Sequence, residues 1–227
     1  MEKLRLTDLG YFETENPLDG GACPGHDQDW YRHWFRRLAG CGPTTAANIL
    51  LYEMLAGSLG GGRGEPAPLG LREALEATFS VARPASLERL DRMWGFVTPS
   101  KRGGLNSTAK FCEGVRALAA AVGIKALAAA LDVPKDSPER PPVEDVAAFI
   151  GEALGEDRPV AFLNLDNGAE KQLEKWHWVT VIGIDPEDEA GVMLDILDNC
   201  VYLRVNLNSW MATTAKGGGF VRFRFER

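Results

Sequence analysis

Apolar residues along the chain follow two different spacings, one typical of helices and one typical of strands. Up to about residue 155 the spacing is mostly helical, and the clearest segment begins after Pro43. This segment is apolar around most of its circumference, which predicts a buried central helix. Proline suits the first helical turn, where a missing N–H costs nothing. Further helices are predicted over residues 71–79, 86–94, 106–122 and 143–154, with a short amphipathic segment over 30–38.

Beyond residue 155 the pattern changes to short apolar strands separated by turns. One such turn is marked by the acidic, proline-containing run at residues 185–188. Because helices come first and strands afterwards, the pattern favours an α+β fold with a mostly antiparallel sheet over an alternating α/β fold. Strands are predicted over residues 158–165, 178–184, 192–197, 201–205 and 220–225.

These elements predict a single domain over residues 1–227. Within it we expect an irregular segment at 1–29, a mostly helical lobe at 30–155 and a mostly antiparallel sheet lobe at 156–227. The glycine-rich run at 57–70 is predicted to be a loop. It lacks the Gly-Lys-Ser/Thr sequence of a phosphate-binding loop, so no nucleotide cofactor is expected there.

Charge and cysteine content bear on the possible binding partners of the protein and on its cellular compartment. The net charge is −7 and no basic block is present, which argues against nucleic acid or an anionic membrane surface as a partner. The first residues do not form a signal peptide and no apolar run is long enough to span a bilayer, so the cytoplasm is the expected location. Four cysteines lie far apart, which predicts free thiols in a reducing compartment. They are Cys23, Cys41, Cys112 and Cys200.

Cys41 is the cysteine with the most favourable local sequence for reactivity. It lies between Gly40 and Gly42 at the start of the predicted central helix, directly before Pro43. Unpaired N–H groups and the dipole at a helix N-terminus stabilise negative charge, which favours a thiolate. We therefore expect Cys41 to be a nucleophile and the two glycines to line its cleft. Cys112 and Cys200 are expected to be packing residues.

A thiolate nucleophile usually acts with a histidine and a third group that orients the imidazole. His177 begins a strongly apolar strand, between Trp176 and Trp178, which could form walls of a cleft. The strand after the next turn ends at Asp198-Asn199, level with His177 if the two strands pair as a hairpin. Either residue could accept a hydrogen bond from the imidazole. Since neighbouring strand residues point to opposite faces, only one of them is expected to do so.

The other two histidines could instead bind a metal ion together with a cysteine. Cys23, His26 and His33 offer ligand atoms in the N-terminal segment. No second Cys/His pair at ligand spacing follows, so we expect no zinc site and no other metal.

The sequence around these residues resembles the papain-like cysteine peptidase superfamily. The resemblance is carried by the run GCGPTTAAN at 40–48 that opens a helix, the strand that begins at His177, and the strand that ends at Asp198-Asn199. The chain is most similar to the double-glycine leader peptidases and their stand-alone bacterial relatives, over residues 30–227. The run LNSW at 207–210 and the glycines at 217–219 before the last strand are also similar to that branch.

The resemblance implies a papain-like fold, with a cleft between the helical and sheet lobes. It implies Cys41 as nucleophile, His177 as general base and Asp198 as the orienting acid, with Asn199 second, because that branch generally uses aspartate at this strand end. The superfamily usually has a glutamine shortly before the cysteine that binds the oxyanion. Here the nearest upstream glutamine is Gln28, thirteen positions away, which reaches the site only if the 30–38 segment folds back.

The activity implied by the resemblance is thiol-dependent hydrolysis of a peptide or small amide, with no cofactor. Two alternatives stay open at this point. The fold could serve as a binding module without catalysis, or Cys41 could pass an acyl group to an amine as a transferase. The sequence does not indicate an oligomeric state.

Overall fold

A seven-stranded antiparallel sheet lies at the centre of the computed structural model, which describes residues 2–56, 71–135 and 137–226. The α+β architecture with an antiparallel sheet is thereby confirmed. The loop predicted at 57–70 lies outside the described residues. The strands are β1 (Leu4–Arg5), β2 (Glu13–Glu15), β3 (Ala22–Pro24), β4 (Lys125–Val133), β5 (Val160–Asn164), β6 (His177–Asp185), β7 (Met193–Asp198), β8 (Val201–Asn206) and β9 (Gly218–Glu226).

Strand pairing brings the start of β6 and the end of β7 to the same end of the sheet. The order across the sheet is β4-β9-β5-β6-β7-β8, and β1 also pairs with β6. β6 and β7 form a hairpin in which Thr180 lies opposite Leu197. β7 and β8 form the next hairpin, in which Asp198 lies opposite Val201. β2 and β3 form a separate two-stranded hairpin.

The helices lie on both faces of this sheet. Residues 41–54 of the second helix are all buried, which confirms the buried central helix predicted from its apolar circumference. Ser107 caps the fifth helix by accepting a hydrogen bond from the Lys110 N–H, as its sequence position suggests. The helices are α1 (Trp34–Ala39), α2 (Cys41–Ala56), α3 (Leu71–Glu76), α4 (Ser86–Phe96), α5 (Thr108–Ala121), α6 (Val143–Gly155) and α7 (Leu207–Thr213).

Two hydrophobic cores fill the space between the helices and the sheet. One contains buried residues of α2, α4 and α5, and the other contains buried residues of α6 and α7. The alternation of side chains along β9 supplies both cores, because Val221 and Phe223 belong to the first and Phe220 to the second. Cys41 and Trp178 lie in the first core, so α2 packs directly beside the strand that carries His177.

Two parts of the secondary structure differ from the sequence-based expectation. The alanine-rich stretch at 125–133 had no predicted strand, yet it forms β4 and pairs with β9 over its whole length. Alanine has little preference for strands, so this pairing and not local propensity produces the element. The segment at 1–29, expected to be irregular, contains β1, β2 and β3. None of the described helices has the length and apolar character needed to cross a bilayer.

Candidate active site

Cys41 is the first residue of α2 and its thiol is not disulfide-bonded. Gly40 lies directly before this helix, where a Cβ would collide with the Arg36 carbonyl oxygen and the Tyr31 ring. A Cβ at Gly42 would collide with Leu105. Both glycines are buried, and their predicted place beside the cleft stays a prediction. Their missing side chains allow close packing around the helix start.

His177 and Asp198 form a short hydrogen bond at the end of the β6–β7 hairpin. His177 is the first residue of β6 and Asp198 is the last residue of β7. The distance between His177 Nε2 and Asp198 Oδ1 is 2.6 Å. The two side chains are only 5% and 10% exposed, so water competes little for this bond.

The imidazole also interacts with Cys41. Burial alone would lower the pKa of His177, but the hydrogen bonds and negative charge of Asp198 and Cys41 outweigh it and raise the pKa to about 10. Because Nε2 is engaged by Asp198, Nδ1 is the nitrogen left for the thiol. The Cys41 Sγ atom also lies 4.0 Å from the Trp176 carbonyl oxygen. Cys41, His177 and Asp198 therefore lie together at one place in the fold.

Asp198, and not Asn199, binds the imidazole. The Asn199 side chain turns the other way, and its Oδ1 accepts a hydrogen bond from the Gln28 backbone N–H at 3.2 Å. The sequence left open which of these two neighbours contacts the imidazole, and in the structure the contact is made by Asp198. Asn199 instead connects the β7–β8 turn to the N-terminal segment.

Gln28 lies close to the site despite its distance in sequence from Cys41. It begins a short 3-10 turn, Gln28–Trp30, and its backbone bond to Asn199 places it next to the residue that follows Asp198. Its side-chain Oε1 is buried and has no hydrogen-bond partner among the described residues. A buried carbonyl oxygen without a partner is costly in a folded protein, so this oxygen is a candidate for accepting a hydrogen bond from a ligand.

The two tryptophans beside His177 have different environments. Trp176 is 49% exposed, has a φ of +59°, and the Lys216 Nζ atom lies 4.4 Å from its ring centroid. Trp178 is 1% exposed and its indole N–H donates to the Leu105 carbonyl. Trp178 was predicted to form a wall of the cleft, and the structure places it in the core that also contains Cys41. Successive strand residues point to opposite faces, and Trp178 belongs to the core, stacked on Phe111.

Two of the four cysteines form a disulfide, which corrects the prediction of four free thiols. Cys23 of β3 is bonded to Cys200, which directly precedes β8. Cys200 was expected to be a packing residue, and its role is therefore also corrected. The prediction of a cytoplasmic location was based partly on free thiols, and this support is removed. Cys112 is a buried free thiol in α5, and burial raises its pKa.

The remaining histidines are engaged by protein groups. His26 is completely buried, with Nδ1 2.8 Å from Asn48 Oδ1 and Nε2 accepting from Arg89 Nε at 2.8 Å. Burial and the Arg89 charge lower the pKa of His26 to about 3, so it is a neutral structural residue. His33 caps α1 by accepting from the Phe35 N–H. No cluster of potential metal ligands occurs within the described ranges.

Comparison with known proteins gives no further assignment. The chain matches no protein-family model and no curated protein. The functional interpretation therefore depends on the geometry of Cys41, His177 and Asp198.

Proposed function

We propose that the protein is a cysteine peptidase or amidase of papain-like type, with a catalytic triad formed by Cys41, His177 and Asp198. The observation that carries the proposal is the 2.6 Å hydrogen bond between His177 and Asp198, with the Cys41 thiol near enough to the same imidazole to raise its pKa. A histidine buried between a carboxylate and a thiol at a helix N-terminus is suited to take and return a proton. The order of elements, with helices before an antiparallel sheet, also supports the papain-like fold.

The reaction begins with a thiolate on Cys41 and a proton on His177 Nδ1, a state that the raised pKa of His177 favours. The Cys41 thiolate attacks the carbonyl carbon of the amide, and an S–C bond forms as the carbonyl electrons move to oxygen. The imidazolium then protonates the nitrogen as the C–N bond breaks, which releases the amine and leaves a thioester on Cys41. Asp198 holds the imidazole orientation and stabilises its positive charge throughout.

Water completes the cycle by attacking the thioester. His177 accepts a proton from the water as the new C–O bond forms, and the C–S bond then breaks to release the carboxylic acid. The imidazolium returns its proton to the sulfur or remains paired with the thiolate. Every step uses the same two side chains, so no cofactor is needed for this chemistry.

The developing oxyanion requires hydrogen-bond donors. The backbone N–H of Cys41 is one, because the first N–H groups of a helix have no partner within the helix. The side-chain amide of Gln28 is the proposed second donor. The Gln28 backbone bond to Asn199, the residue directly after Asp198, supports this role because it holds Gln28 beside the site. Loss of one such donor is expected to reduce kcat by about 10²–10³.

Acyl-enzyme formation tests the proposed function. We expect the protein to react with p-nitrophenyl acetate in a burst of one equivalent of nitrophenolate, with the acetyl group on Cys41 by peptide mass spectrometry. Cys41→Ala should show no burst, and Cys112→Ala should behave as the wild type. Absence of a burst, or an acetyl group carried only by other residues, would contradict the proposal.

A further inference from the structure

The turn after Asp198 has a backbone conformation that does not suit its sequence. β7 ends at Asp198 and β8 begins at Val201, so the connection consists of Asn199 and Cys200. Both residues have positive φ, +40° and +67°. Asparagine tolerates this region, but the second residue of such a two-residue turn is usually glycine, because a Cβ makes positive φ unfavourable. An interaction outside the turn is needed to hold Cys200 in this conformation.

The disulfide to Cys23 is that interaction. It joins residues 177 positions apart, with 5.5 Å between their Cα atoms. Cys23 is held by the β2–β3 hairpin, in which it pairs with Thr14. The following Gly25 approaches β7 so closely that a Cβ there would lie 2.8 Å from Leu197 Cδ2. The β3 segment is therefore packed against the strand that carries Asp198.

The N-terminal segment that contains Cys23 also contacts Asn199, the other residue of the turn. The Gln28 N–H donates to Asn199 Oδ1, so residues 23–28 are attached to both residues of the turn. On its far side the segment is anchored to α2, where Asn48 Oδ1 accepts from the His26 N–H at 2.8 Å. The turn is thus connected to the helix that begins with Cys41.

We infer that the Cys23–Cys200 disulfide is a positioning element of the active site, which holds the β7–β8 turn so that the Asp198 carboxylate reaches His177. The inference rests on the proposed function, since it assigns the disulfide a role through Asp198. Asp198 is directly attached to the turn, and a hydrogen bond of 2.6 Å tolerates little displacement of its carboxylate. When the disulfide is opened, Cys200 leaves the left-handed region and the carboxylate moves with the turn.

Opening the disulfide requires a reductant, and a small dithiol such as dithiothreitol is sufficient. Its thiolate attacks one sulfur of the disulfide to form a mixed disulfide, and its second thiol closes the ring. Two electrons and two protons pass to the protein, which gives the thiols of Cys23 and Cys200. The dithiol becomes a cyclic disulfide. Cys41 is already a thiol and is not changed by this reaction.

A matched pair of double variants separates the turn conformation from general stability. Cys23→Ser with Cys200→Ala removes the disulfide and leaves a residue that disfavours positive φ. Cys23→Ser with Cys200→Gly removes the same disulfide but allows the turn to keep its conformation. The two proteins differ by a single methyl group and contain no additional thiol.

The readouts are the acylation rate with p-nitrophenyl acetate as a function of pH and the titration of the His177 imidazole by NMR. The chain has only three histidines, so the signal can be assigned. We expect the alanine double variant to acylate about tenfold more slowly than the wild type, with the His177 titration midpoint lowered by about one unit or more. The glycine double variant should stay within about threefold of the wild type. Dithiol treatment, followed by removal of the reagent under argon, should slow the wild type but not the glycine variant.

The inference is wrong if the alanine variant has the wild-type acylation rate and His177 titration. It is also wrong if the alanine and glycine variants lose activity equally, because the turn conformation would then not matter. Both outcomes leave the proposed function intact as long as the oxidised wild type acylates at Cys41. A wild type that does not acylate at Cys41 instead contradicts the proposed function itself. Circular dichroism confirms that each variant is folded.

Discussion

His177 Nε2 and Asp198 Oδ1 lie 2.6 Å apart where the first residue of β6 meets the last residue of β7. Both residues lie just beyond the paired part of the β6–β7 hairpin, and Asp198 pairs with Val201 across the next turn. The thiol of Cys41 reaches the same imidazole from the start of α2. The candidate site is therefore the meeting point of the helical half of the chain and the sheet.

Asp198→Asn should impair catalysis strongly while the fold is retained. The amide keeps the shape of the side chain but removes the charge that raises the pKa of His177 and orients its ring. We expect kcat for ester or amide hydrolysis to fall by about 10²-fold or more. The matched control is Asp195→Asn on the same strand, because Asp195 pairs with Arg5 and Arg204 at the surface. Equal activity of the two variants would exclude Asp198 as the orienting acid.

Stability should depend on pH through His177. Its pKa is raised to about 10 in the folded protein, against about 6.5 in the unfolded chain. The stabilisation from the charged imidazolium is therefore fully present below pH of about 6.5 and is lost as the pH rises towards about 10. Denaturant unfolding of wild type and His177→Gln between these pH values measures this effect. The difference in free energy of unfolding between the two proteins should shrink with increasing pH. A constant difference would show that folding does not raise the pKa of His177.

Glu53 should make the protein less stable as the pH rises from acid to neutral. It is completely buried in α2, and neither carboxylate oxygen has a hydrogen-bond partner in the described part of the chain. Burial raises the pKa of Glu53 to about 8, so the folded state binds a proton that the unfolded state releases near pH of about 4.3. Glu53→Gln removes this proton uptake and should raise the free energy of unfolding above neutral pH by about 1–3 kcal/mol.

The control for Glu53 is Glu113→Gln, at an exposed position on α5. It should change the free energy of unfolding by less than about 0.5 kcal/mol at any pH. If Glu53→Gln also leaves the pH dependence of stability unchanged, then the pKa of Glu53 is not raised in the folded protein.

Gly40→Ala should disturb the start of α2. An added Cβ would collide with the Arg36 carbonyl oxygen and with the Tyr31 ring, both of which belong to the packed segment before Cys41. We expect a loss of about 1–3 kcal/mol in free energy of unfolding and a slower acylation of Cys41. Gly95→Ala in α4 is the matched control, because nothing lies within 4 Å of its added Cβ. That change should be neutral or stabilising by up to about 1 kcal/mol.

The local parts of the candidate site could be predicted from the sequence. Glycine and proline around Cys41 indicate a helix start, and apolar alternation after His177 indicates a strand. The turn at 185–188 then predicts a hairpin that returns to Asp198. Each of these signals extends over a few neighbouring residues, which is the range over which propensity and spacing act.

The long-range parts could not be predicted in the same way. The disulfide joins Cys23 to Cys200 across most of the chain, and no spacing rule connects them. The placement of Gln28 depends on the β2–β3 hairpin and on Asn199, both of which form through tertiary contacts. One local signal was available for the disulfide, because the two-residue connection Asn199-Cys200 has cysteine where glycine is usual.

The most direct test of the triad is the rate at which iodoacetamide alkylates Cys41, measured between pH values of about 5 and 9 in the wild type and in His177→Ala. We expect the wild type to react at pH of about 6 more than tenfold faster than N-acetylcysteine, a small reference thiol, because only the thiolate is nucleophilic. The His177→Ala protein should lose this advantage. If Cys41 reacts no faster than the reference thiol at pH of about 6, or if His177→Ala reacts as fast as the wild type, Cys41 and His177 do not form a catalytic pair.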